Sequence, residues 1–127
     1  MNTLSSSYSF KKVNDIDEYS SFYTCPSKCD INYNYDYEAI TKYYDNILTE
    51  NNNKEWIWTI DFEGFGFTHF LYSSTISIYI AKLLTEKYGH NLKKIIIINS
   101  TWNINILLTI VRPFLSEYLN NIIIINN

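Results

Sequence analysis

Apolar positions follow two periods along this chain, and the changeovers between them mark its elements. Residues 1–34 are polar, rich in Ser, Asn and Tyr, and weakly patterned; within them Tyr19–Thr24 reads as an edge strand, followed by a loop around Pro26. From residue 36 a helical period takes over. Ala39, Ile40, Tyr43, Tyr44, Ile47 and Leu48 make one stripe, Asp36 is placed to cap it, and Asn51–Lys54 stops it. "EWIWTIDF" then alternates as a strand, with Trp56, Trp58 and Ile60 on one face and Ile57 and Thr59 on the other. "EGFGF" is a turn in which Gly64 and Gly66 are free to take positive φ.

A second helix is predicted from Leu71 to Tyr88, with Ile76, Tyr79, Ile80, Leu83 and Leu84 as its stripe and Gly89 just past its end. "KKIIIIN" has no alternation, as expected of a parallel strand covered on both faces. A third helix starts near Trp102 and bends or ends near Pro113; "NNIIIINN" closes the chain as a last strand. Helices alternating with strands predict an α/β fold, a mainly parallel sheet joined by right-handed crossovers.

The third helix poses the sharpest question. Trp102, Ile106, Leu107, Ile110, Val111 and Phe114 form a broad apolar face, and Ile104 and Leu108 add apolar surface off it. A helix apolar nearly all round is deeply buried or meets something greasy. In a one-sheet domain a helix near the terminus is rarely buried on every side, which favours a ligand or a membrane surface.

Composition narrows the alternatives. A chain of 127 residues with 46% hydrophobic residues fits one domain with a real core. Ten basic against 13 acidic residues give a net charge of −3, and no basic run offers a footprint for nucleic acid. Cys25 and Cys29 are two of the four or so ligands a zinc site needs, and His69 and His90 lie far along the chain, so no metal site is expected and reduced thiols are the simpler reading. Few cysteines and no apolar leader point to a reducing compartment. The longest apolar stretch, Ile104 to Leu115, falls short of the ~20 residues of a bilayer span. For catalysis, His69, His90 and Asp61 have no sequence neighbours forming a triad, no G-x-S-x-G elbow surrounds Ser73, Ser74 or Ser77, and the Gly64/Gly66 pair lacks the third glycine of a dinucleotide loop. The chain is therefore read as non-enzymatic and free of cofactors.

In its second half the sequence resembles the CRAL-TRIO lipid-binding domain, the family of phosphatidylinositol/phosphatidylcholine transfer proteins and retinaldehyde- and tocopherol-binding proteins. The strand ending Asp-x-x-Gly is matched by Asp61 and Gly64, the corner after the next helix by Tyr88, Gly89, His90 and Asn91, and the aliphatic strand ending in Asn by Asn99. Ser100, Thr101 and Trp102 match the following corner; Arg112, Pro113, Phe114 and Leu115 match the Lys-Pro-Phe-Leu that ends the family's gate helix. The resemblance covers about residues 36–127.

The resemblance implies a sheet flooring an apolar pocket, with residues 103–115 as a gate that admits one lipid and meets the bilayer when open. On it, a variable segment (1–34) precedes a lipid-binding domain (35–127). The implied ligand-binding residues are Trp56, Trp58 and Ile60 on the floor, Tyr79 and Leu83 on the second helix, His90 at its end, and Trp102, Ile106, Leu107, Ile110 and Phe114 on the gate. Departures also stand out. His90 replaces the Glu of phosphoinositide-binding members, whose Thr and Lys fall near Leu119 and Asn121 or Ile122. Trp56 and Trp58 stand where phosphatidylcholine-binding members have small hydroxyl residues. Against the family pattern, the N-terminal helical lobe and the Gly-Gly segment after the last strand are expected to be missing or reduced, which implies a truncated version of the fold.

The implied function is binding or transfer of a phospholipid or similar lipid, in the cytoplasm and transiently at membranes. The alternative is an interaction module whose pocket the two tryptophans fill. The Ile-rich last strand, as an exposed edge, predicts a possible homodimer.

Overall fold

The computed structural model describes residues 9–16, 18–29, 37–100 and 104–126. Its elements are strands β1 (Phe10–Ile16), β2 (Tyr19–Thr24), β3 (Trp56–Asp61), β4 (Leu92–Ile98) and β5 (Ile123–Asn126), with helices α1 (Tyr37–Glu50), α2 (Phe67–Leu83), α3 (Ile104–Val111) and α4 (Glu117–Asn121). The strands form one sheet in the order β1-β2-β3-β4-β5. β1 runs antiparallel to β2, and β2 through β5 are mutually parallel. When parallel neighbours are laid down in consecutive order by right-handed crossovers, their helices fall on one side of the sheet. The core accordingly lies between that side and α1–α4.

The chain is α/β with a mainly parallel sheet, as the sequence predicts, but several elements differ. β2 is an interior strand, because β1, which weak patterning concealed, pairs along its outer edge. β1 carries Lys11, Lys12 and exposed Val13 and has a register shift between Lys12 and Asn14, devices that blunt an edge strand. The sheet thus continues across the sequence division between residues 34 and 35. The expected helix cap at Asp36 lies outside the described residues.

α2 begins a turn earlier than its apolar stripe suggests, because the Gly66 N–H donates to His69 Nδ1 at 3.0 Å and so closes the helix start. Its last turn widens into a π turn, Leu84–Tyr88, followed by a 3-10 turn at Gly89–Asn91. Of the glycines, only Gly64 uses positive φ (+76°), and Gly66 is extended. Gly89 has φ −69°, so it is not a left-handed cap. A Cβ there would sit 2.7 Å from the Leu84 carbonyl and 2.9 Å from Leu119 Cδ1, so glycine lets fully buried Leu119 of α4 approach the chain.

α3 ends at Val111 and a 3-10 turn, Arg112–Phe114, carries Pro113 at its start, as proline requires. A short α4, not anticipated, is capped by Ser116 Oγ accepting from Leu119 N–H. β5 pairs with β4 alone among the described residues.

Candidate functional site

Two apolar clusters lie on the covered side of the sheet. The first is aromatic and solid: Phe10, Phe22, Tyr44, Trp56 and Trp58 pack with ring centroids 4.1–6.4 Å apart, closed by aliphatics from α1, α2 and β4. The second joins Phe62 and Phe65 of the β3–α2 turn, Ile97 of β4, and Ile104, Leu107 and Leu108 of α3.

Between them is a cavity of about 140 Å³. Its floor is Trp58 and Ile60 of β3 with Ile95 and Ile97 of β4. α2 contributes Ser73, Ile76, Ser77, Ile80 and Ala81; α3 covers it with Ile104, Leu107, Leu108 and Val111. Thr24, Pro26, Cys29 and Tyr44 close the end near β2 and α1. No Asp, Glu, Lys, Arg or His is among the lining residues.

The sequence-derived site residues fall into three groups. Trp58, Ile60 and Leu107 line the cavity. Trp56 (1% exposed) and Leu83 are buried in the aromatic cluster beside it and do not line it. Tyr79, Ile106 and Phe114 are exposed, at 42%, 44% and 37%; Ile110 is half-buried off the wall and His90 is exposed. Trp102 lies outside the described residues. Tyr79 stacks on Tyr37, and the Lys82 ammonium sits 5.3 Å from the Phe114 ring centroid.

The rotation of α3 explains most of the difference. Its inner positions are 104, 107, 108 and 111, a regular i, i+3, i+4, i+7 stripe. The stripe 102/106/110/114 is equally apolar, so periodicity alone did not fix which side faces the sheet. Sequence reasoning also missed Tyr44, assigned only to a core stripe, and Thr24. Thr24 accepts from Trp58 Nε1–H at 2.8 Å inside the protein, an interaction between residues 34 apart that no local signal announces.

The polar groups at the rim are committed to structure. Asp61, 7% exposed, closes the C-terminal end of β3: Tyr23 Oη–H donates to it at 2.6 Å, and Asn99 Nδ2–H and Glu63 N–H donate at 3.0 Å. Burial works against its charge, but these donors, with Lys28 nearby, hold its carboxyl below the usual carboxylate range. Asn99 reaches it from a left-handed backbone (φ 54°), a conformation Asn tolerates. The alignment of Asp61, Gly64 and Asn99 thus marks one hydrogen-bonded corner. His69 caps α2 and stacks on Phe65, so it stands in no acid–base pair. Cys25 and Cys29 form no disulfide, and no cluster among the described residues could hold a metal ion.

α3 is tied down lightly at its C-terminal end. Thr85 Oγ1–H donates to the Phe114 carbonyl at 3.1 Å and accepts from Ser116 N–H at 3.2 Å, both exposed. Asn120 braces the turn, with Nδ2–H donating to the Arg112 carbonyl (3.1 Å) and Oδ1 accepting from Arg112 Nη1–H (3.1 Å). Inward, α3 packs against Phe62, Phe65 and Ile97.

No helix among the described residues is long and apolar enough to cross a membrane. A search of curated proteins finds no significant match to the chain. The family model of the CRAL/TRIO domain matches residues 33–127, from just before α1 to the last residue. This family binds small lipophilic ligands. With a matching family model over most of its length and the mainly parallel sheet, helical cover and apolar cavity in place, the chain belongs to the CRAL/TRIO domain family.

Proposed function

We propose that this protein binds a lipid in the cavity beneath α3 and carries it without chemical change, α3 and the Arg112–Phe114 turn serving as the gate. The observation that carries the reading is the charge-free apolar space, open on one side, between β3/β4 and α3. Trp58, Ile60 and Leu107, with Tyr44, Ile76 and Leu108, are the proposed ligand contacts. Residues 35–127 form the binding unit, and β1 and β2 complete its sheet.

Size sets how binding works. At about 140 Å³ the cavity is close to the ~150 Å³ engineered cavity that binds benzene and below the ~300 Å³ where ligand pockets usually start. It holds about six carbons, whose burial is worth roughly 5 kcal/mol at ~0.8 kcal/mol per methylene. That corresponds to a Kd no tighter than about 0.2 mM. A whole acyl chain therefore requires α3 to lift, which its light polar ties permit. We further propose that the opened gate meets membranes transiently, as a cytoplasmic transfer protein for phospholipid or a related lipid would. Native mass spectrometry after incubation with liposomes is expected to show one lipid per chain; persistent apo protein would overturn the reading.

The small volume and Trp58 on the floor favour a second reading, an interaction module whose pocket is nearly filled. It is distinguished by a Trp56→Ser/Trp58→Thr variant that gains lipid binding where the wild type shows none. β5, with Ile124 and Ile125 over 40% exposed, is proposed as the edge of a homodimer. A concentration-independent monomer mass by light scattering would rule that out.

A further inference from the structure

Three elements meet outside the cavity, around the turn that ends α3. The Tyr37 ring, at the start of α1, stacks on Tyr79 of α2 with centroids 5.2 Å apart. The Lys82 ammonium lies over both the Tyr79 ring, at 6.0 Å, and the Phe114 ring, at 5.3 Å. Phe114 belongs to the 3-10 turn that follows α3. One turn further along, Thr85 holds the backbone there: its Oγ1–H donates to the Phe114 carbonyl and its Oγ1 accepts from the Ser116 N–H. Between those two points is Leu115, which lines the cavity. A surface lysine is ordinarily explained by a carboxylate or by water. The ion pairs among the described residues use Lys12, Lys54, Lys87 and Lys93, and exposed Lys82 is in none of them. Its partners are two ring faces, whose negative quadrupole attracts a cation.

We propose that Lys82 is the latch of the gate. Its ammonium holds the Phe114 ring from α2, Thr85 holds the backbone on both sides of Leu115, and release of these contacts lets Leu115 leave the cavity wall as α3 lifts. This rests on the lipid-carrier reading above and adds what controls access to the site. It also gives Tyr79 and Phe114 a use: they line nothing, yet they fix the end of the cover to the helix beside it. Lys82 is a positioning residue, since it lines no part of the cavity and acts through Phe114. An arginine would lie on the same ring face, whereas a neutral side chain would not. An exposed contact of this kind is weak, so it biases the gate towards closure and does not lock it.

The test follows hydrogen exchange of two indole N–H groups in the full chain by NMR. Trp58, on the cavity floor, is reached by water more often when the cover opens. Trp56, in the solid aromatic cluster with its Nε1–H donated to Asn91 Oδ1 at 3.3 Å, is the internal reference. Lys82→Gln is expected to speed exchange at Trp58 about twofold to fivefold and to leave Trp56 unchanged. Lys82→Arg keeps the cation and should keep the wild-type rate. Phe114→Leu removes the ring face and should speed Trp58 at least as much; in that background Lys82→Gln should add nothing, because both changes remove one contact. An unchanged Trp58 rate in Lys82→Gln, or equal acceleration at Trp56, overturns the latch. The second readout is association with 1-decanol, which is longer than the roughly six carbons the space holds. Its association rate should rise in Lys82→Gln by the factor seen at Trp58, and an unchanged rate overturns the proposal. Failure of decanol to bind the wild type overturns the lipid-carrier reading instead, and the two indoles still decide whether Lys82 holds the cover shut.

Discussion

The two apolar clusters under the helices differ in size, thirteen buried residues against six, and in how they pack. In the aromatic cluster flat rings fill the volume: Phe10 stacks on Tyr44 at 4.1 Å, Trp56 and Trp58 meet edges of the same rings, and no space is left. In the second cluster branched side chains from α3 meet Ile97 of β4 and the Phe62–Phe65 pair, and a void opens between them and the aromatic wall. Trp58 and Ile60 belong to the boundary, one strand serving as solid core at its start and cavity floor at its end. The lesson is that a binding space arises where packing changes type, and that a single tryptophan sets its size.

The sharpest way to break this contrast is Trp56→Ala. Trp56 is fully buried in the solid region, so removing it should cost about 3–5 kcal/mol of stability by urea denaturation. If Trp56 instead belonged to the cavity, the loss would be smaller and ligand affinity would rise. Trp58→Leu is the next effect down. It deletes the boundary ring and strands Thr24 without its Nε1–H donor, for a loss of about 2–4 kcal/mol. The same variant should accept longer alcohols than the wild type, seen as tighter binding of 1-decanol relative to 1-hexanol. Unchanged chain-length preference would mean that Trp58 does not limit the space.

The smallest effect concerns the polar rim of the second cluster. The Asp61 carboxyl is held below its ordinary value, so the stability it contributes is present above the unfolded-chain value of about 3.9 and is lost as pH falls through the lower folded value. Asp61→Asn should cost about 1–2 kcal/mol at pH 7 and flatten the decline in urea midpoint below pH 4. A variant with the wild-type acid profile would show that the Tyr23–Asp61–Asn99 corner does not couple to folding.

Much of this was legible from residues. The isoleucine run at 95–98 and the alternating Trp56-Ile57-Trp58 announced parallel strands, and the match at Asp61, Gly64 and Asn99 proved to be one corner of the fold. Cover on both faces of β4 was expected, but its buried residues, Leu92, Ile95 and Ile97, mark one packed face, with Ile96 and Ile98 half-buried. β1 was not legible, since its lysines and its register shift disguise Phe10, which reaches the core. The facing of α3 was only partly legible: exposed Asn105 and Thr109 mark one outer side, but the rest of the circumference is apolar, so the sequence did not separate the 104/107/108/111 stripe from 106/110. The Thr24–Trp58 contact and the Tyr44 wall are tertiary facts, joining positions 34 and 14 apart that no period links. Gly89 was noticed for the wrong reason: its use is closeness to Leu84 and Leu119 rather than a left-handed turn.

The central claim is that the space beneath α3 is real and can be entered. Xenon binding followed by NMR tests it most directly, comparing the wild type with Ala81→Leu, which extends a buried wall residue into the void. The account predicts saturable xenon shifts at the methyls of Ile80, Leu107 and Leu108 in the wild type, and their loss in Ala81→Leu with stability retained. Equal shifts in both proteins, or none in the wild type, would contradict it.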